Sequence, residues 1–108
     1  MTDKQWFETT LKRFEEDPAA YQGVEGSYQF DYTKDGGSVW HMVFPNDGTY
    51  KIGEGTFNNA DVSVTCNWSD MLDVVNGKLN PNLAIMKGKI KFKGSMPKAM
   101  ALAKLLGV

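Results

Sequence analysis

The residue types that most often do chemistry are scarce in this chain, and their spacing does not suit catalysis. His41 is the only histidine and Cys66 the only cysteine among 108 residues. A zinc site needs several ligands at suitable spacing, and His41 has no partner of that kind. Cys66 shares a predicted strand face with valines, where cysteine behaves as a small hydrophobic residue. We therefore predict no catalytic residue and no metal site.

The carboxylates and glycines also lack a catalytic pattern. Asp70 and Asp73 lie near the start of a predicted helix, where negative charge suits the helix dipole. No glycine-rich phosphate or dinucleotide motif follows a strand, because the eleven glycines fall at predicted turns and caps. The sequence therefore predicts no cofactor.

Methionine is the residue type that stands out. The hydropathy pattern predicts that Met42, Met71, Met86, Met96 and Met100 face the core. Methionine has a flexible, polarisable side chain that fills irregular gaps and adapts to varied apolar ligands. Two interpretations stay open from the residues alone, namely ordinary core packing and the lining of an apolar pocket.

Length and composition predict one domain over residues 1–108, located in the cytoplasm. A hydrophobic content of 42% and a charged content of 23% are ordinary for a globular protein. No run approaches the roughly 18 apolar residues of a membrane span, and the N-terminus does not read as a secretory signal. The last three residues, Leu106-Gly107-Val108, are not the Ser-Lys-Leu peroxisomal signal. A single cysteine fits a reducing compartment.

Charge is distributed unevenly along the chain. All 13 acidic residues precede Val74, whereas residues 74–108 hold seven lysines and no acid. Such a cluster could favour an anionic membrane surface or nucleic acid. The alternative is that Lys89, Lys91 and Lys93 form the solvent face of a strand. Base stacking needs exposed aromatic rings, and Phe92 is predicted to point inward, so we predict no nucleic-acid partner.

These residues are positioned by elements that the pattern predicts in a clear order. A capping box at Thr2 and Gln5 begins a helix over residues 2–17, and Asn80-Pro81 and Ser95 begin two later helices. Alternation predicts strands at residues 26–33, 38–44, 50–55, 61–67 and 88–94, and a helix runs from Asn67 to Gly77. In the last two strands the residues predicted to point inward are Val62, Val64, Cys66, Ile90 and Phe92. The order predicts an α+β fold with a five-stranded, mainly antiparallel sheet covered by helices. We expect the second strand to be central and covered on both faces, and the fifth to run parallel to one neighbour.

One stretch of the sequence resembles a known family. The run Gly77-Lys78-Leu79-Asn80-Pro81, followed by Ala84, Met86, Gly88-Lys89, Ile90, Gly94 and a methionine-rich last helix, resembles the sterol carrier protein type 2 domain. The resemblance covers nearly the whole chain. It implies a sterol-carrier-protein-like α+β fold with an internal apolar cavity between the sheet and the C-terminal helices. We expect the last helix to gate the entrance, because a terminal helix has few constraints and can move without opening the sheet.

The resemblance also implies a function and a set of lining residues. The implied function is non-enzymatic binding or transfer of a fatty acid, fatty acyl-CoA, phospholipid or sterol. We expect a monomer, and we expect the lysines after Val74 to lie near the entrance, where they could contact an anionic membrane transiently. The alternative is an enzyme or enzyme-accessory domain that presents an apolar substrate in the same pocket. The implied ligand-binding residues are Trp40, Met42, Met71, Leu72, Val75, Leu83, Met86, Phe92, Met96, Met100 and Ala103.

Overall fold

The computed structural model describes residues 1–106 and shows a five-stranded sheet with its helices on one face. The helices are α1 (Asp3–Glu16), α2 (Trp68–Val75), α3 (Pro81–Met86) and α4 (Met96–Leu106). The strands are β1 (Gly26–Asp31), β2 (Val39–Phe44), β3 (Lys51–Glu54), β4 (Val62–Cys66) and β5 (Ile90–Gly94). Short 3-10 turns cover Pro18–Tyr21 and Thr33–Asp35. The predicted absence of a peroxisomal tripeptide depends on Gly107 and Val108, which lie outside the described residues.

The strand order is β3-β2-β1-β4-β5, which confirms a mainly antiparallel five-stranded sheet. β1, β2 and β3 form an antiparallel meander, and β4 and β5 form an antiparallel pair. Two expectations were wrong. The parallel pair is β1 with β4 rather than a pair involving β5, and β1 rather than β2 is the central strand. The connection from β3 to β4 therefore crosses from one side of β1 to the other.

One face of the sheet carries most of the core. The register places Tyr28 beside Met42 and Val62, and Phe30 beside Trp40 and Val64. The core-facing side chains of α1 pack on this face. The ring of Phe7 stacks on that of Trp40 with centroids 4.6 Å apart, and Phe14 lies 6.0 Å from Phe44 and 5.4 Å from Tyr50.

The opposite face is only partly covered. His41 is buried there beside the ring of Phe57, 5.8 Å away, whereas Lys91 and Lys93 are exposed. Val39 and Val43 are half-buried. The prediction that both faces of β2 are covered is therefore correct around His41 and wrong for the strand as a whole.

Local capping explains where three helices begin. Thr2 and Gln5 form the predicted reciprocal capping box, with bonds of 3.1 and 2.9 Å. The Asn80 side chain accepts hydrogen bonds from two N–H groups of α3. Ser95 accepts a bond from the Lys98 N–H at the start of α4. These caps satisfy N–H groups that the helices themselves leave free.

The start of α2 is different. Asn67 precedes the helix, as predicted, but its side chain makes no capping bond. The carboxylate of Asp35, from the turn after β1, accepts bonds from the N–H groups of Trp68 and Ser69 instead. A residue distant in sequence therefore caps α2.

Candidate functional site

A small apolar gap lies between the sheet and the three C-terminal helices. Its volume is about 110 Å³. The lining side chains are all apolar and come from β4, β5, α2, α3 and α4: Val62, Val64, Met71, Val74, Pro81, Ile85, Ile90, Phe92, Ala99, Leu102, Ala103 and Leu106. A polar group placed there would lose its hydrogen bonds to water without replacement, which costs several kcal/mol. The gap therefore suits only the apolar part of a ligand.

The gap reaches the surface between α3 and α4. Ile85 lines it and is also 45% exposed to solvent. On α4, Ala99, Ala103 and Leu106 line the gap and are only partly buried. We call this opening the α3–α4 mouth. A polar head group that cannot enter the gap would stay here.

Eleven residues were predicted to line the site, and three of them do. Met71, Phe92 and Ala103 lie together around the gap. Leu72 and Val75 are half-buried on α2 but do not line it. Met71, Phe92 and Ala103 thus bring α2, β5 and α4 together at the gap.

Two predicted residues lie elsewhere in the core. Trp40 packs under α1, where its indole N–H donates to the carboxylate of Asp3 over 2.9 Å. Met42 is fully buried on the same sheet face. Neither side chain lines the gap, so their burial is explained by packing in the core.

The prediction that Met86, Met96 and Met100 face the core was wrong. These methionines and the predicted lining residue Leu83 are between 48% and 81% exposed. On α3 the buried position is Ala84. On α4 the buried positions are Leu102 and Leu105, so the buried stripe is turned away from Met96 and Met100.

Several lining residues were missed although the sequence carried a signal for them. Alternation in β4 and β5 predicted that Val62, Val64 and Ile90 point inward, without saying which helices would cover them. On α4, the spacing of Ala99, Leu102 and Leu106 is typical of one helical face. The methionine pattern instead predicted that the face of α4 with Met96 and Met100 lines the pocket, and these two residues are exposed.

Helix α4 is tied to the rest of the protein near both ends. The Lys98 ammonium lies 3.1 Å from the carboxylate of Asp61, and the Tyr28 hydroxyl shares its proton between the carbonyls of Glu25 and Lys98. Near the other end, the Arg13 guanidinium donates to the Leu105 carbonyl over 3.0 Å. Hydrogen bonds from the Ser27 N–H and the Lys98 side chain lower the pKa of Asp61, so the ion pair is formed at neutral pH.

Helix α3 has weaker attachments. Its only fully buried side chain is Ala84. Within residues 1–106, the hydrogen bonds made by α3 reach only residues 80–89, next to it in the chain. Of the two helices at the mouth, α3 is therefore the one that can move at lower cost.

The remaining ionisable groups near the core are poor candidates for catalysis. Burial, with a further contribution from Asp70, raises the pKa of the Cys66 thiol to about 12. Burial also raises the pKa of Tyr28 to about 12. Both groups are therefore protonated at neutral pH, and the thiol is a weak nucleophile.

The described part of the chain carries neither a metal-binding cluster nor a membrane-spanning helix. Residues 1–106 hold no group of three or more His, Cys, Asp or Glu side chains that could bind a metal ion. None of the helices in that part is both long and apolar enough to cross a bilayer.

Comparison with known proteins points to one family. The model of the SCP-2 sterol transfer family matches residues 7–107. Hydroxysteroid dehydrogenase-like protein 2 of Bos taurus is 34% identical over 86 residues, which are 79% of this chain and 20% of that protein. The chain thus spans about a fifth of the length of the curated relatives it matches.

Solved structures show the same fold. The sterol carrier protein domain 2 of Helicoverpa armigera superposes with a TM-score of 0.74 at 28% identity, over 95% of this chain and 84% of that one. The palmitated sterol carrier protein 2 like 2 of Aedes aegypti superposes with a TM-score of 0.70 at 27% identity, over 100% and 96% of the two chains.

Proposed function

Because this chain belongs to the SCP-2 sterol transfer family, we propose that it binds one lipid non-covalently between the sheet and helices α2, α3 and α4. It shields or transfers that lipid without catalysing a reaction. The observation that carries this proposal is the wholly apolar gap, which opens to solvent at the α3–α4 mouth.

The ligand we propose is a single acyl chain, as in a fatty acid or fatty acyl-CoA. The gap of about 110 Å³ is smaller than the roughly 150 Å³ cavity that holds a benzene molecule. It must therefore grow to accept any lipid, since ligand pockets are commonly about 300 Å³ or more. A flexible chain can enter as the gap widens step by step, whereas a rigid sterol needs the full width at once. The palmitated Aedes aegypti relative supports this choice.

We propose that α3 moves to make this room. Widening at α3 displaces Pro81 and Ile85 from the gap and breaks none of the three bonds that hold α4. The sequence had predicted the last helix as the gate, because a terminal helix has few constraints. The ties at Lys98 and Leu105 favour α3 instead.

The expected driving force is hydrophobic. Each methylene removed from water contributes roughly 0.8 kcal/mol, so a chain of about a dozen methylenes could supply up to about 10 kcal/mol before the cost of opening. The lining offers no polar side chain, so selectivity would depend on chain length and shape. The carboxylate or CoA group would remain at the mouth.

The test is native mass spectrometry of the purified protein, followed by lipid extraction and displacement of a fluorescent fatty-acid analogue. We expect a co-purifying or exchangeable acyl lipid at one per chain. A protein that carries no lipid and binds neither the fatty-acid analogue nor a fluorescent sterol would overturn the proposal. Tight binding of the sterol alone would retain the carrier function and refute the acyl-chain assignment.

A further inference from the structure

The residues that line the gap in the described chain fall into two groups by their exposure. Those at the α3–α4 mouth, among them Ile85 and Phe92, are partly buried or exposed. Six others are at most 7% exposed and form the inner end of the gap: Val62, Val64, Met71, Val74, Ile90 and Leu102. An acyl chain that enters at the mouth therefore meets these six side chains last.

Behind the inner end, β1 carries aromatic side chains that are already packed. The register places Tyr28 beside Val62 and Phe30 beside Val64. Both rings are at most 1% exposed, and neither lines the gap. The Phe7 ring lies 5.7 Å from that of Phe30, and the Tyr28 hydroxyl is hydrogen-bonded within the protein. A ligand therefore cannot extend past β4 without displacing these rings.

Helix α2 closes the gap at its first turn. Trp68, Met71 and Val74 are its buried residues, but only Met71 and Val74 line the gap. The Trp68 ring lies 5.2 Å from that of Tyr32, and its indole N–H donates to the Met1 carbonyl over 2.9 Å. Along α2, the gap therefore ends between Met71 and the fixed ring of Trp68.

Met71 is the inner side chain that can adapt to a ligand. The three valines and Ile90 are branched at Cβ, which restricts their rotation about χ1, and Leu102 is branched one carbon further on. Met71 is unbranched, with three rotatable bonds and a polarisable thioether, and it is 6% exposed. Room for another carbon at the inner end therefore depends on the size and position of the Met71 side chain.

We propose that Met71 sets the length of the acyl chain that the gap accepts. The tail of the chain would end against this side chain, and the rings behind it would prevent further extension. Each methylene up to that point leaves water and adds to the affinity, whereas carbons beyond that length stay at the mouth and add little. This inference rests on the proposed carrier function.

The test is a competition titration in which saturated fatty acids of increasing length displace the fluorescent fatty-acid analogue. We expect the affinity of the parent protein to rise about fourfold with each added methylene and to level off at a limiting length. M71A removes about three heavy atoms at the inner end, so the limiting length should grow by about two or three carbons, with roughly tenfold or more in affinity at the new limit. M71F adds a ring and should shorten the limiting length.

The matched control is M42A. Met42 is fully buried on the same sheet face but does not line the gap, so its truncation should leave the limiting length unchanged. Thermal unfolding checks that each variant folds, and the milder pair M71V and M42V replaces an alanine variant that does not.

An unchanged limiting length in both the truncated and the enlarged Met71 variants would overturn the assignment of Met71. An equal shift in the Met42 variant would overturn it as well, because it would show that any truncation in the core has the same effect. A parent protein that binds no fatty acid of any length would refute the carrier function itself, so the two failures are distinguishable.

Discussion

Filling the gap should weaken acyl-chain binding about a hundredfold, and Ala103 is the position at which to fill it. Its methyl group lines the gap from α4. The variant A103F adds a phenyl ring at that position. A benzene ring fits a cavity of roughly 150 Å³, so this ring would fill the gap of about 110 Å³ completely. The variant A103L adds a smaller group and should have an intermediate effect.

The loss of affinity follows from the methylenes that the ring excludes. If the phenyl ring displaces about four methylenes of the ligand, the loss is about 3 kcal/mol at 0.8 kcal/mol each, or about two orders of magnitude in Kd. The assay is equilibrium titration with the fluorescent fatty-acid analogue. Thermal unfolding is measured in parallel, because overpacking a core can cost about 1–3 kcal/mol.

The matched control is A101F on the same helix. Ala101 lies on the other side of α4, facing the turn at Pro18–Tyr21, so the same ring there leaves the gap free. We expect A101F to bind the analogue as the parent does. Unchanged binding by A103F would mean that the lipid lies elsewhere. Equal losses in A101F and A103F would show that α4 responds to any added bulk, and that the gap is not the determinant.

Two further predictions concern the attachment of α4. Gly94 has a φ of +121°, and a Cβ there would collide with the Asp61 carbonyl. G94A should therefore lower the free energy of unfolding by about 3 kcal/mol or more. The control is G23A, where φ is +83° and the space around the Cβ is open, and it should cost about 1 kcal/mol. Urea unfolding of both variants measures the difference, and equal costs would contradict the contact. The pKa of Asp61 is lowered in the folded state from its ordinary value of 3.8. The ionised carboxylate therefore stabilises the fold fully above about pH 5, and this contribution is lost as the pH falls through the folded-state pKa. D61N should lower the free energy of unfolding by about 1 kcal/mol at pH 7. The difference in unfolding free energy between parent and variant, measured in urea titrations, should shrink as the pH falls toward 2.5. A difference that grows instead would refute the assignment.

The sequence was informative wherever the rule that applies is local. The caps at Thr2, Asn80 and Ser95 involve residues no more than three apart, and all three start helices in the structure. Strand alternation was equally reliable, because side chains of a strand point to opposite faces whatever its neighbours are. The C-terminal resemblance led to the family, which the match over residues 7–107 shows.

The candidate site was predicted only in outline, because helix orientation is not a local property. α3 has six residues, which is too short for a hydrophobic period to show which side faces inward. α4 offers two apolar stripes, one through Leu102 and one through Met96 and Met100. Packing against the sheet buried the leucine stripe and left both methionines exposed.

Sequence by itself determined the elements, their order, the inward faces of β4 and β5 and the surplus of lysine after Val74. Only the tertiary structure decided the strand order, the parallel pairing of β1 with β4, and the contacts of Asp3, Asp35 and Asp61 with partners 33 residues or more away. The reason is physical. Hydrogen bonds within a turn depend on the nearest few side chains, whereas the direction in which a helix or strand packs depends on surfaces that the chain brings together only on folding.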